Sequence, residues 1–264
     1  MSLLVAPGFL HWDRIISLIY DLFMKFSHSG FHSVHKTSVA LESIARDRTR
    51  TNLLWPLERQ AIAFWVQRIP SWISSDMLTA IGFSGNLIVS VSFVLAAYIH
   101  PYYLLLGVAG FMICWFGDSL DGRIAYYRNK PRKWYGFTLD IVIDWIGIVL
   151  IGLGYIIYAK GIWELFGYGF VTMYGWEMII ALIRYTITGK YSIDSGPVGP
   201  TEVRIVLSAI LVAEVLFPGS IRYSAVLICA ILFVVNVVDT HKLLKTADER
   251  DLKERKEPVH ENHD

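Results

Sequence analysis

The chain is patterned as long apolar runs separated by short polar joints. Six runs, at about residues 76–98, 103–127, 136–158, 163–186, 201–217 and 221–239, stay mostly apolar. Each is close to the roughly 20 residues that one helix needs to cross a bilayer core. The fifth is the shortest and begins on polar residues. Proline and glycine mark the joints: Pro70 before the first run, Pro101 before the second, Gly196-Pro197 and Gly199-Pro200 before the fifth, and Pro218-Gly219 before the sixth. Ahead of these runs, residues 56–69 read as an amphipathic helix. Leu57, Ala61, Phe64, Trp65 and Ile69 form its apolar stripe, and Glu58, Arg59, Gln60, Gln67 and Arg68 are expected to face water. With no second domain to receive that stripe, the membrane surface is its expected partner.

The pattern predicts an all-α integral membrane fold, with six transmembrane helices preceded by an interfacial amphipathic helix. Residues 55–245 form the expected membrane domain. Residues 1–54 are an N-terminal extension with no assignable function, and residues 246–264 a charged, solvated tail. Basic residues sort by side. Arg46, Arg48, Arg50, Arg59 and Arg68 precede the first run, and Arg128, Lys130, Arg132 and Lys133 join the second to the third. Lys190 lies between the fourth and fifth, with Arg184 and Arg204 at the membrane edges, and Lys242 and Lys245 follow the sixth. The opposite loops hold only Lys160 and Arg222. The positive-inside rule then places both termini in the cytoplasm, consistent with an even number of spans.

Composition agrees. The chain is 54% hydrophobic and 18% charged, against about a quarter charged in a soluble domain, which points to the membrane class. A net charge of +1 gives no reason to expect a nucleic-acid partner. Cys114 and Cys229 lie inside apolar runs and read as small buried hydrophobes. The run around residues 15–24 is interrupted by Asp21 and is not followed by a cleavage site of small residues, so no cleavable signal is expected.

Four acids break the apolar pattern where breaking it is costly. Asp118 and Asp121 are three apart at the end of the second run, and Asp140 and Asp144 four apart at the start of the third. Each pair therefore shares one face of its helix. A short basic connection makes those helices antiparallel neighbours, so the four carboxylates converge near the cytoplasmic side. Ionisable groups in a span mark function by default, and so many like charges need a cation. Oxygen ligands without His or Cys suit Mg²⁺ or Mn²⁺ rather than zinc. Gly117, Gly122, Gly136 and Ala125 let helices pack closely or let a ligand lie against backbone. The competing reading is an ion-pair cluster with Arg123, Arg128 or Lys133.

The stretch Asp118-Ser-Leu-Asp121-Gly122-Arg-Ile-Ala125, followed by Gly136-Phe-Thr-Leu-Asp140-Ile-Val-Ile-Asp144, resembles the signature of the CDP-alcohol phosphatidyltransferases. That signature reads D-x2-D-G-x2-A-R and then G-x3-D-x3-D. The resemblance extends from about Glu58 to Arg204, through Pro70-Ser-Trp-Ile-Ser-Ser-Asp-Met-Leu-Thr79-Ala-Ile-Gly82 and Gly199-Pro-Thr-Glu202-Val-Arg204, the latter like a segment of some bacterial members. It implies a dimeric six-helix enzyme of phospholipid biosynthesis with a cytoplasm-facing site, in the inner membrane if the cell is bacterial. Such an enzyme moves a substituted phosphate group from CDP-diacylglycerol or another CDP-alcohol to an acceptor alcohol and releases CMP.

By resemblance, Asp118, Asp121 and Asp140 hold the metal. Asp144 is the general base on the acceptor hydroxyl and also a metal contact. Thr79, Asp118, Gly122, Arg123, Ala125 and Gly136 are the expected nucleotide contacts. Tyr126 stands where the signature has arginine, and Arg123, one turn earlier, is the expected substitute.

Arg184, Lys190, Glu202 and Arg204 are candidates for an acceptor phosphate, with plain positive-inside charge and helix-dipole placement as the alternatives. Glu177, Glu214, Asn236 and Asp239 fall in or near spans, where helix–helix hydrogen bonds or a dimer contact compete with catalysis. Trp134, Tyr135, Trp163 and Trp176 read as interfacial anchors, and the histidines show no metal spacing. The alternatives to an enzyme are a non-catalytic relative or a cation-handling transport protein. Clustering of the acids on one side argues against a conduction path.

Overall fold

A computed structural model describes residues 54–189 and 199–255. Residues 1–53 of the predicted extension over 1–54, Lys190 and the end of the tail lie outside the described residues. Among those described, every regular element is helical. The helices are α1 (Trp55–Val66), α2 (Ser75–Tyr98), α3 (Leu104–Tyr127), α4 (Lys133–Ala159), α5 (Glu164–Thr188), α6 (Pro200–Leu216) and α7 (Ser220–Glu254). Short 3₁₀ turns at Pro101–Tyr103 and Gly161–Trp163 lead into α3 and α5.

Five helical segments are long and apolar enough to cross a membrane: Ser75–Tyr98, Pro101–Tyr127, Lys133–Ala159, Gly161–Thr188 and Ser220–Glu254. The protein is an all-α integral membrane protein. The expected count of six is not reached, because α6 has 17 residues. At 1.5 Å per residue it is about 25 Å long, short of a hydrocarbon core of about 30 Å. The last helix departs the other way. It continues past residue 239 through the charged segment to Glu254, and Arg250 donates there to the carbonyls of Thr186 and Ile187 at 3.0 and 2.8 Å. Those carbonyls belong to the last turn of α5, where the helix itself supplies no donor.

Close packing without side chains builds the α2–α3 pair. A Cβ on Gly117 would lie 2.5 Å from Gly82 Cα, and one on Gly85 would lie 2.5 Å from the Gly110 carbonyl oxygen. Such contacts let two backbones meet, which in lipid replaces a hydrophobic driving force. Deeper in the bundle, Val89, Phe93, Leu104, Phe111, Ile151, Tyr155, Leu211 and Ile221 form one apolar core drawn from α2, α3, α4, α6 and α7. Met112, Leu153, Leu227 and Phe233 are exposed on the outside, as lipid-facing residues are.

The short helix α1 differs from its expected orientation. Ile62, Ala63 and Val66 are its buried residues, packed with Leu78, Leu120 and Ile124 of α2 and α3. Leu57, placed in the apolar stripe above, is 54% exposed, whereas Glu58, expected in water, is 4% exposed. Positions 58, 62 and 66 are one turn apart each, and that row faces the bundle.

Candidate active site

The site begins at the turn between α3 and α4. Asn129, at φ 55°, occupies the left-handed region. Lys130 N–H donates to the Ala125 carbonyl at 2.9 Å, and Asn129 N–H to that of Tyr126 at 3.0 Å. This hydrogen-bond pattern stops α3 cleanly, and asparagine tolerates the left-handed cap. Five residues later α4 begins at Lys133, so the two helices return as neighbours with their acids at the same end. Arg128 supports the turn from outside, donating to the carbonyls of Ile73, Pro70 and Ile69. Arg132 pairs with Asp76 at the start of α2.

Three of the four acids meet. Asp118, Asp140 and Asp144 each offer a carboxylate oxygen lying within 4.8 Å of the others, and all three are half-buried. Asp121 is not in that set. Its Oδ2 accepts from Thr79 Oγ1 at 2.7 Å, and Ser75 Oγ donates to its carbonyl at 2.9 Å. The N-terminal turns of α2 thus hold the last turns of α3. Ser74 caps α2 by accepting from Met77 N–H at 3.1 Å, which fixes where Ser75 and Thr79 stand.

A guanidinium reaches this group from α6. Arg204 of α6 places Nη2 2.6 Å from Asp118 Oδ2. Three carboxylate oxygens this close form an all-oxygen group of the kind that fits a hard divalent ion. Two cations of the simple ion-pair reading are engaged elsewhere as well. Arg128 binds backbone carbonyls, and Arg123 turns to the Ser119 carbonyl at 2.5 Å and to Glu58, 3.9 Å away. Arg204 stands at the acids.

The small residues divide by role. Gly117 is a packing glycine, while a Cβ on Gly122 or Gly136 would meet nothing within 4 Å. Helix packing therefore does not explain those two, and both leave open backbone beside the acids. Ala125 is half-buried on the same helix as Gly122.

Among the described residues, the acceptor candidates Arg184, Glu202 and Arg204 have separate partners. Arg184 binds Asp239 of α7 at 3.3 Å, and Lys242 shares that carboxylate at 3.0 Å. Glu202 caps α6, accepting from Gly199 N–H at 3.0 Å and Leu54 N–H at 2.9 Å. Lys190 lies outside the described residues, and only Arg204 stands at the acids. The buried acid Glu214 is structural: it accepts from Tyr158 Oη at 2.7 Å and from the amides of Gly219 and Ile221 at 2.9 and 2.8 Å. Asn236 likewise serves a helix contact, donating to the Met173 carbonyl at 2.8 Å.

The sequence model of the CDP-alcohol phosphatidyltransferases matches residues 72–238. The chain belongs to that family. Comparison with individually curated proteins returned no match. The matched region takes in α2 to α6 and most of α7, and so includes all four aspartates and Arg204. Family membership makes this CDP-alcohol phosphatidyltransferase a membrane transferase with a CDP-linked donor and an alcohol acceptor, in a family that uses divalent metal.

Sequence reasoning missed Glu58 and Thr201, whose side chains meet at 3.1 Å between α1 and α6. The available signal was Glu58 itself, an acid one turn before Ile62 and two turns before Val66.

Proposed function

We propose that the protein transfers a substituted phosphate group from a CDP-linked donor, CDP-diacylglycerol or a CDP-alcohol, to an acceptor alcohol in phospholipid biosynthesis, with release of CMP. The supporting observation is the meeting of Asp118, Asp140 and Asp144 within 4.8 Å, at the positions the family pattern assigns to metal and base. Those three residues would hold Mg²⁺ or Mn²⁺, with Asp121 as the fourth carboxylate of the pattern. When bound, the ion supplies positive charge opposite the donor's phosphates.

Asp144 takes the proton of the acceptor hydroxyl as its oxygen attacks phosphorus. The bond from phosphorus to the CMP oxygen breaks, and CMP leaves with the electron pair. The open backbone at Gly122 and Gly136 receives the nucleotide, with Thr79, Arg123, Asp118 and Ala125 along its edge. Arg204 holds the acceptor's phosphate, or the transferred one, in the charge-assisted way a guanidinium favours. Arg184 and Glu202 are assigned to helix pairing and capping.

In this reading residues 55–245 are the membrane domain. Helix α6 accompanies the five long helices as the sixth of the family bundle, and two copies associate as a homodimer. The acids and both termini face the cytoplasm, the inner membrane being the location in a bacterial cell.

The test is CMP release by purified full-length protein with Mn²⁺ or Mg²⁺, against a panel of CDP-linked donors crossed with acceptor alcohols. Release with at least one pair, abolished by a chelator, supports the reading. No release from any pair would move the protein to the non-catalytic or cation-handling class.

A further inference from the structure

Helix α1 is joined to the site through one buried carboxylate. Glu58 Oε2 accepts from Thr201 Oγ1 of α6 at 3.1 Å, and Glu58 Oε1 lies 3.9 Å from Arg123 Nη2 of α3. Thr201 is one turn before Arg204, and Arg123 is five residues after Asp118. Arg204 and Asp118 are themselves paired at 2.6 Å. The contacts close a ring through three helices: Asp118 to Arg204, along α6 to Thr201, across to Glu58, across to Arg123, and back along α3. A second tie runs parallel to it, from Leu54 N–H to Glu202 at 2.9 Å.

Helix α6 is shorter than the five spanning helices, and it begins at Pro200 behind Gly199. Its lower half is fixed by packing, since a Cβ on Gly107 of α3 would lie 2.6 Å from Leu211 Cδ1. Its upper turn, which carries Arg204, is held from outside by α1. A carboxylate at 4% exposure is costly unless its partners use it, and here those partners belong to the two helices that supply Arg204 and Asp118.

We propose that Glu58 is a positioning residue: it sets the separation of α3 and α6 so that the Arg204 guanidinium meets the phosphate of the acceptor. This rests on the reading of Arg204 given above. It also assigns α1 a task beyond lying at the membrane surface, namely bracing the cytoplasmic end of the site.

The experiment compares wild type, Glu58→Ala, Glu58→Gln, Thr201→Ala and the Glu58→Ala/Thr201→Ala double variant as full-length protein in CMP release, with donor and acceptor varied separately. Glu58→Ala is expected to raise the acceptor KM about tenfold, the scale of one buried hydrogen bond lost, with donor KM little changed. Glu58→Gln, whose amide oxygen can still accept from Thr201, should recover most of the effect. Thr201→Ala should reproduce part of it, and the double variant should be no worse than Glu58→Ala. An unchanged acceptor KM in an active wild-type background overturns the positioning role alone. So does a parallel fall in kcat and in both substrates' affinities that follows loss of folded protein and is not rescued by glutamine. If Glu58→Ala fails to fold, Thr201→Ala and Glu58→Gln carry the same comparison. A wild type inactive on every pair overturns the functional reading and this proposal together.

Discussion

The acids at the α6–α7 turn and at the α3–α4 turn are held in opposite ways. At the α6–α7 turn, Glu214 is surrounded by donors: the Tyr158 hydroxyl, the amides of Gly219 and Ile221, and the Ser220 hydroxyl. Its charge is answered within the fold. At the α3–α4 turn, Asp118, Asp140 and Asp144 lie within 4.8 Å of one another, with the Arg204 guanidinium at Asp118. A carboxylate ringed by donors stabilises a turn. Carboxylates turned toward each other are arranged for something that arrives from outside the chain.

The sharpest way to break this contrast is Asp144→Asn. It should lower CMP release by at least about 100-fold, as loss of a positioned base does, while thermal unfolding followed by tryptophan fluorescence stays at or above the wild-type midpoint, because a like charge has been removed. A variant that keeps its rate would reduce the aspartate group to the same structural status as Glu214.

Glu214→Ala should do the reverse. Leaving buried amides and the Tyr158 hydroxyl without an acceptor should cost about 2–3 kcal/mol of stability, read as a lower denaturation midpoint, with specific activity of the folded fraction retained. A loss of turnover at unchanged stability would erase the distinction between the two acids.

Glycines sharpen the contrast on a smaller scale. Gly117→Ala forces a methyl onto the backbone of Gly82 and should cost about 1–3 kcal/mol in stability. Gly122→Ala places the same methyl in open space. It should leave the unfolding midpoint alone and raise donor KM instead, measured in the same CMP assay. Equal stability losses in the two variants would mean that Gly122 is only another packing position.

Much of this was legible in the chain. The spacing of three between Asp118 and Asp121, and of four between Asp140 and Asp144, put each pair on one helix face, and the short basic turn brought the two helices together. Apolar run length located α2 to α7 but not their ends. The last helix ignores the charged boundary because Arg250 finds acceptors at the end of α5, and α6 is too short to be counted as a span by length.

What escaped were contacts across long stretches of sequence. No local pattern reveals that Arg184 meets Asp239, that Arg204 meets Asp118, or that Arg123 turns to Glu58. Basic residues near one membrane face look alike until packing assigns their partners. The same holds for the glycines. Gly117 and Gly122 are five apart, yet only the neighbour at Gly82 distinguishes a packing surface from an open one.

The most direct measurement is binding of Mn²⁺ itself, by electron paramagnetic resonance titration of the purified protein without substrate. Wild type and Glu214→Gln should bind the ion alike, and Asp140→Asn should weaken binding by at least about tenfold, since each carboxylate removed lowers the charge that holds a hard cation. Binding of equal strength in Asp140→Asn and wild type would contradict the claim that these three aspartates form a cation site.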